Sequence, residues 1–110
     1  MTKPVLVLTV FAALALSGCA TTRIGRIQAD PSRYRDKTVT VDGRVTNSFG
    51  ALVAGFYEVE DETGKIYVIS RSGVPSKGSQ VSVRGTVMNG ITVMGKSFGT
   101  AIQEHRHKVK

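Results

Sequence analysis

The pattern V-x-V-x-G-x-V-x-N occurs twice in this chain, from Val39 to Asn47 as VTVDGRVTN and from Val81 to Asn89 as VSVRGTVMN. In the first copy Val39, Val41, Gly43 and Val45 share one face, and Thr40, Asp42, Arg44 and Thr46 share the other. That alternation marks a strand with one buried side. The second copy puts Val81, Val83, Gly85 and Val87 inward and Ser82, Arg84 and Thr86 outward. A glycine in each inward row permits a bulge or a sharp coil, as a strand shared by both halves of a small barrel requires.

Three further strands are predicted. Phe56 to Glu60 and Lys65 to Ser70 form a hairpin across Asp61-Glu62-Thr63-Gly64, with Gly64 expected in the left-handed position of the turn. Tyr57, Val59, Ile66 and Val68 face inward in this reading. Phe56, Glu58, Tyr67, Ile69 and Arg71 then lie outside, an apolar set for a solvent face. Phe98 to Glu104 supplies the closing strand. Asp30 is placed to cap one helical turn that starts at Pro31, with Tyr34 packing inward. The segment from Arg71 to Gly78 has room for at most one helical turn, and His105 to Lys110 reads as a basic tail that frays. Five strands without a long amphipathic helix make an all-β domain, and closing the sheet removes the free edges that an open one would leave.

The start of the chain reads differently. Lys3 precedes an apolar run from Val5 to Leu16 and then Ser17-Gly18-Cys19. A positive start, a short apolar core and small residues at a cut site describe a secretory signal peptide, and the run is too short for a membrane span of about 20 residues. Leu16-Ser17-Gly18-Cys19 resembles the lipobox of bacterial lipoproteins. That resemblance implies a diacylglycerol on the Cys19 thiol, cleavage before it and acylation of the new amino end, palmitate being the expected chain type. With Ala20 rather than aspartate after the cysteine, it also implies an anchor in the outer membrane facing the periplasm. The expected organisation is a signal peptide over residues 1–18, a lipidated tether over 19–29, a barrel domain over 30–104 and the basic tail over 105–110. Cys19 is the single cysteine, so no disulfide can form within the chain.

Removing residues 1–18 from the 110 leaves 92, enough for one domain. The whole chain carries a formal charge of +7; losing Lys3 and no acidic residue lowers it to +6. Such a surface attracts anionic headgroups, nucleic acid or acidic polymers, although the basic residues are scattered rather than gathered in one tract.

Asp30-Pro31-x-x-Tyr34, the two V-x-V-x-G-x-V copies and the Tyr57-x-Val59-x-Asp61-x-x-Gly64 hairpin together resemble the small OB-fold proteins of the bacterial cell envelope. The resemblance implies a five-stranded OB-fold-like barrel in which the first and fourth strands are neighbours. An SH3-like barrel is the other architecture compatible with five short strands. OB folds bind ligands on strands two and three and the adjoining loops, which implicates Arg44, Phe56, Tyr67, Ile69 and Arg71, beside Phe49, Leu52 and Met94. Aromatic rings stack bases and arginines meet phosphates in single-stranded nucleic acid recognition.

No catalytic constellation is legible. Glu58, Glu60, Asp61 and Glu62 crowd one hairpin, as solvated turn residues do, and a nucleophile with a base and an orienting acid is not evident. His105 and His107 are the residues a metal clip would use, but zinc sites require three or four ligands in a rigid frame. The sequence therefore leads to the expectation of a non-catalytic, cofactor-free, lipid-anchored periplasmic binding or adaptor module. Its expected partner is an envelope protein or anionic ligand, with oligonucleotide or other polyanion binding on the same face as the alternative.

Overall fold

A computed structural model describes residues 21–51, 54–93 and 95–110. The expected signal peptide over residues 1–18, Cys19, Leu52 and Met94 lie outside the described residues. Helix α1 spans Ile24–Ala29 and helix α2 spans Pro31–Tyr34; five strands follow, β1 Thr38–Ala51, β2 Ala54–Glu60, β3 Lys65–Ser70, β4 Gln80–Val93 and β5 Lys96–Val109. The strands close in the order β1-β2-β3-β5-β4. All neighbours are antiparallel except β3 and β5, which run parallel where Tyr67, Val68 and Ile69 meet Ala101, Ile102 and Gln103.

The two copies of the repeated pattern pair with each other. Val39 lies opposite Gly85, Val41 opposite Val83 and Gly43 opposite Val81, so a local two-fold passes between Val41 and Val83. Each glycine admits a neighbouring strand at a distance no side chain would allow. A Cβ on Gly43 would stand 2.7 Å from Val59 Cγ1, and one on Gly85 would stand 2.6 Å from Ile102 Cγ2, with a backbone carbonyl closer still in both cases. A register shift accompanies each. In β1 an extra residue, Thr46, falls between Val45 and Asn47 opposite β2. At Gly85 the extra residue is His105, on the partner strand β5. These bulges supply the bend that closure needs.

The inward rows fill the barrel: Val41, Tyr57, Val59, Val68, Val81, Val83, Val87 and Ile102 have no solvent exposure, and Ile66 has 2%. Ile24 and Ile27, one helical turn apart on α1, are equally buried and belong to the same core. The expectation of a tether over residues 19–29 is therefore corrected, since a folded helix begins at Ile24. Six residues including Gly25 have little helix propensity of their own. The β2–β3 turn holds them: Asp61 Oδ2 accepts from Ile24 N–H at 2.9 Å, and Thr63 Oγ1 accepts from Gly25 N–H at 2.7 Å. Gln28 donates its side-chain amide to the Lys65 carbonyl.

Three other expectations change. Gly64 does not have a positive φ, and a Cβ there would meet only the end of the flexible Gln28 side chain, its Oε1 at 2.6 Å. Asp30 occupies the N-cap position of α2 without a side-chain cap bond, while Pro31 does open the helix and Tyr34 packs against the core. Residues 105–110 are not a frayed tail. Val109 pairs with Val81, Lys108 with Ser82 and His107 with Val83, and Lys110 N–H reaches the Gln80 carbonyl at 2.8 Å.

Candidate ligand-binding face

The alternation that buries Tyr57 and Val59 turns Phe56 and Glu58 outward on β2, and the β1–β2 register sets Phe49 directly against Phe56. Their rings stack with centroids 5.0 Å apart and planes 30° apart. Phe98 of β5 and Tyr67 of β3 complete the group. Phe56 meets Tyr67 edge-on at 5.9 Å and Phe98 at 5.1 Å, and Tyr67 meets Phe98 at 5.1 Å. Such offset and edge geometries suit the aromatic quadrupole. Ala101 lies under this second apolar cluster, with Ile69 and Ile91 packed at its side.

The four rings have different access to solvent. Phe56 is 7% exposed and Phe98 is 4% exposed, so these two form the floor. Phe49 is 44% exposed at the end of the β1–β2 hairpin, and Tyr67 is partly exposed on β3. Phe56, one of the residues expected on the ligand face, is buried and packs against Phe49, Tyr67 and Phe98. Phe98, which the sequence placed only in a closing strand, belongs to the group because the β4–β5 hairpin sets it opposite Ile91.

Ile69 and Arg71 line a cleft of about 320 Å³ beside this platform, together with Gly55, Met88, Ile91 and Gln103. Arg71 is exposed there. Arg44 is not brought to the same place. It pairs with Glu60 in the β1–β2 ladder, four residues along β2 from Phe56, or about 13 Å of extended strand. It lines a separate cleft with Arg23, Asp42, Glu60, Asp61 and Glu62. Glu58 lies between the two regions, accepting from Thr46 Oγ1 at 2.7 Å and from Asn47 Nδ2 at 3.3 Å.

The carboxylates of the β2–β3 hairpin are engaged locally. Glu60 faces Lys65 at 3.7 Å. Asp61 Oδ1 accepts from the N–H groups of Thr63 and Gly64 at 2.7 and 3.1 Å and from the Thr63 hydroxyl at 2.5 Å. Partial burial alone would raise the Asp61 pKa, but the hydrogen bonds from Ile24, Thr63 and Gly64 outweigh it and hold the carboxyl below its ordinary value.

A polar network that sequence reasoning missed lies at the other end of β5. The Glu104 side chain is 1% exposed. It accepts from the Tyr57 hydroxyl at 2.5 Å, from Ser70 Oγ at 3.0 Å and from Ser72 Oγ at 3.2 Å, and it meets His107 Nδ1 at 2.7 Å. Burial first, then the hydrogen bond to Glu104 and its negative charge, push the Tyr57 phenol far above its usual pKa. The carboxylate lies between the serine hydroxyls and the imidazole. His105 turns to a different partner, Thr86 Oγ1 at 2.9 Å. Among the described residues no group of three or more His, Cys, Asp or Glu side chains is placed to hold a metal ion.

No protein-family model matches the chain, and no curated protein matches it. Solved structures do. Asparaginyl-tRNA synthetase from Pyrococcus horikoshii superposes with a TM-score of 0.56 at 19% identity, covering 70% of this chain and 20% of that one. The same enzyme complexed with asparaginyl-adenylate gives 0.63 at 18% identity, over 82% of this chain and 22% of the enzyme. A putative aspartyl-tRNA synthetase from Leishmania major Friedlin gives 0.61 at 17% identity, over 82% and 21%. This chain thus spans about a fifth of the length of the synthetases it matches, and the likeness is one of fold: the barrel is an OB fold.

Proposed function

We propose that this OB domain is a non-catalytic binding module whose ligand crosses β2 and β3 between the β1–β2 and β4–β5 hairpins. The ligand class that fits first is a single-stranded oligonucleotide or a similar extended polyanion. The observation that carries the reading is the ring platform: Phe56 and Phe98 are buried beneath Phe49 and Tyr67, which keep accessible surface, and Arg71 lies alongside. Flat, partly exposed rings accept any base, and a nearby guanidinium suits phosphate. The similar folds occur in enzymes named for tRNA, which favours nucleic acid over a protein ligand. Salt-titrated binding of single-stranded DNA and RNA to residues 19–110 tests the reading. Absence of binding at low salt removes this ligand class.

A second reading rests on Leu16-Ser17-Gly18-Cys19. With a lipid on Cys19 the domain is an outer-membrane-anchored adaptor facing the periplasm, and the same rings receive apolar side chains of an envelope protein. Mass analysis of the chain extracted from membranes tests the anchor. A photoreactive group at Tyr67, followed by identification of the captured molecule in intact cells, tests the partner.

A further inference from the structure

The bulge at His105 changes which residues of β5 face outward. Before it Ile102 and Glu104 point into the barrel; after it Arg106 and Lys108 point out, next to the outward residues of β4. Arg84 is thereby set directly opposite Arg106, and Ser82 opposite Lys108. On the other side of β4 the ladder brings Thr40 beside Arg84, whose Nη1 lies 3.4 Å from Thr40 Oγ1. Thr40, Ser82, Arg84, Arg106 and Lys108 line one shallow depression with His107. Like charges directly opposite each other across two strands are unfavourable. Among the described residues no carboxylate forms an ion pair with Arg84, Arg106 or Lys108, whereas Lys110, close by, is taken by Asp42 at 3.1 Å. Three exposed cations with hydroxyls between them form a surface that an array of phosphates would neutralise.

The described residues begin beside β1, where Thr21 lines the neighbouring cleft with Asp42, Arg44 and Glu60. Thr22 N–H donates to the Thr40 carbonyl at 2.7 Å. Cys19 is three residues earlier, within about 10 Å when fully extended. A lipid on that cysteine would bring the Thr40, Arg84 and Arg106 row towards the headgroups; the ring platform is set apart from that row along the strands, Phe49 lying nine residues beyond Thr40 on β1 and Phe98 eight residues before Arg106 on β5.

We infer that the outer face of β1, β4 and β5 is a second binding surface, one that lays the barrel on a bilayer containing anionic phospholipid. The inference rests on the lipid-anchor part of the reading above and adds an orientation to it: cations on the membrane and rings towards the aqueous ligand. Several acyl chains on Cys19 would anchor the chain without help, so the cationic face would set how the barrel lies on the bilayer rather than whether it stays there. Each cation near an anionic surface strengthens binding by roughly fivefold.

The test uses residues 19–110 with Cys19→Ser, which keeps all of the barrel and both helices and removes the acyl chains from the measurement. Sedimentation with phosphatidylcholine vesicles is compared with sedimentation with vesicles that also contain phosphatidylglycerol. Binding is expected only to the second kind and is expected to fall at high salt. Arg84→Gln combined with Arg106→Gln should weaken it by about thirtyfold, from roughly fivefold per cation. Should that pair compromise folding, Arg106→Glu places an opposite charge across from Arg84, which favours the strand pair; it must still reduce vesicle binding. Equal binding to both vesicle types overturns the inference. So does a double variant that sediments like the parent, or one that loses oligonucleotide affinity while keeping its vesicle affinity. Mass analysis of the native chain reads the anchor separately: an unmodified Cys19 beside charge-dependent vesicle binding refutes the anchor alone, and a lipidated Cys19 beside indifferent vesicles refutes this face alone.

Discussion

Asp61 Oδ2 accepts the backbone N–H of Ile24 across 37 residues of sequence, at 2.9 Å. The same carboxylate closes the β2–β3 turn through Thr63 and Gly64, so one side chain both shapes a hairpin and holds the first turn of the helix that packs against the barrel core. Replacing it by alanine should cost about 1–2 kcal/mol, in the range of a lost helix cap. Because the folded-state pKa is depressed, the ionised group's contribution is present above the unfolded carboxyl value, about 3.9, and disappears as pH falls through the lower folded value. Urea unfolding should thus show a clear gap between the parent chain and Asp61→Ala at neutral pH, and that gap should shrink in acid. A gap that stays constant with pH would contradict the role given to the charge.

Gly85 and Gly99 both lie in strands with ordinary backbone angles, yet a Cβ on Gly85 would meet Ile102 Cγ2 at 2.6 Å and one on Gly99 would meet nothing within 4 Å. Gly85→Ala should destabilise by about 1–3 kcal/mol, the usual cost of forcing extra volume into a packed site. Gly99→Ala should be neutral or stabilise by about 0.4–1 kcal/mol through the unfolded chain. Thermal unfolding of the two variants checks the contrast, and equal effects would remove the close-approach explanation of the repeated glycine.

Tyr57 carries a phenol pushed well above its ordinary pKa. The unfolded chain can ionise it near pH 10 and the folded chain cannot. Stability is therefore fully retained below that pH and falls as pH rises through it. Tyr57→Phe should flatten this alkaline decline. At neutral pH it should cost about 1 kcal/mol, because buried Glu104 loses one of its donors. Chemical denaturation from pH 8 to 11 measures both.

Much of the architecture could be read from alternation alone. In β1 to β4 valine, isoleucine and tyrosine alternate with outward residues, with Gly43 and Gly85 in the same inward rows, so strand identity and facing both followed. The same parity put Phe56, Tyr67 and Ile69 on one outer face. Elsewhere the determinants act over long distances. Helix α1 has only Ile24 and Ile27 as an apolar signal, interrupted by Gly25, and it depends on Asp61 and Thr63. The end of β5 looked like a tail because its inward side chains include Glu104 and His107, and because the His105 bulge changes the period midway. Phe98 was assigned to a strand and not to the site, since its place depends on the register of the β4–β5 hairpin. Arg44 shares the outward side of its strand, but position along the strand separates it from Phe56. Cys19, expected to carry a lipid because Leu16-Ser17-Gly18-Cys19 resembles a lipobox, lies outside the described residues.

The central claim is that the exposed rings above Phe56 and Phe98 receive the ligand, and salt-titrated anisotropy with a labelled single-stranded oligonucleotide tests it most directly. The parent chain should bind at low salt and weaken steadily as salt is added. Tyr67→Ala and Phe49→Ala should each cost about 1–3 kcal/mol of binding with the fold intact. An absence of binding at low salt, or two variants that bind as the parent does, would contradict the account.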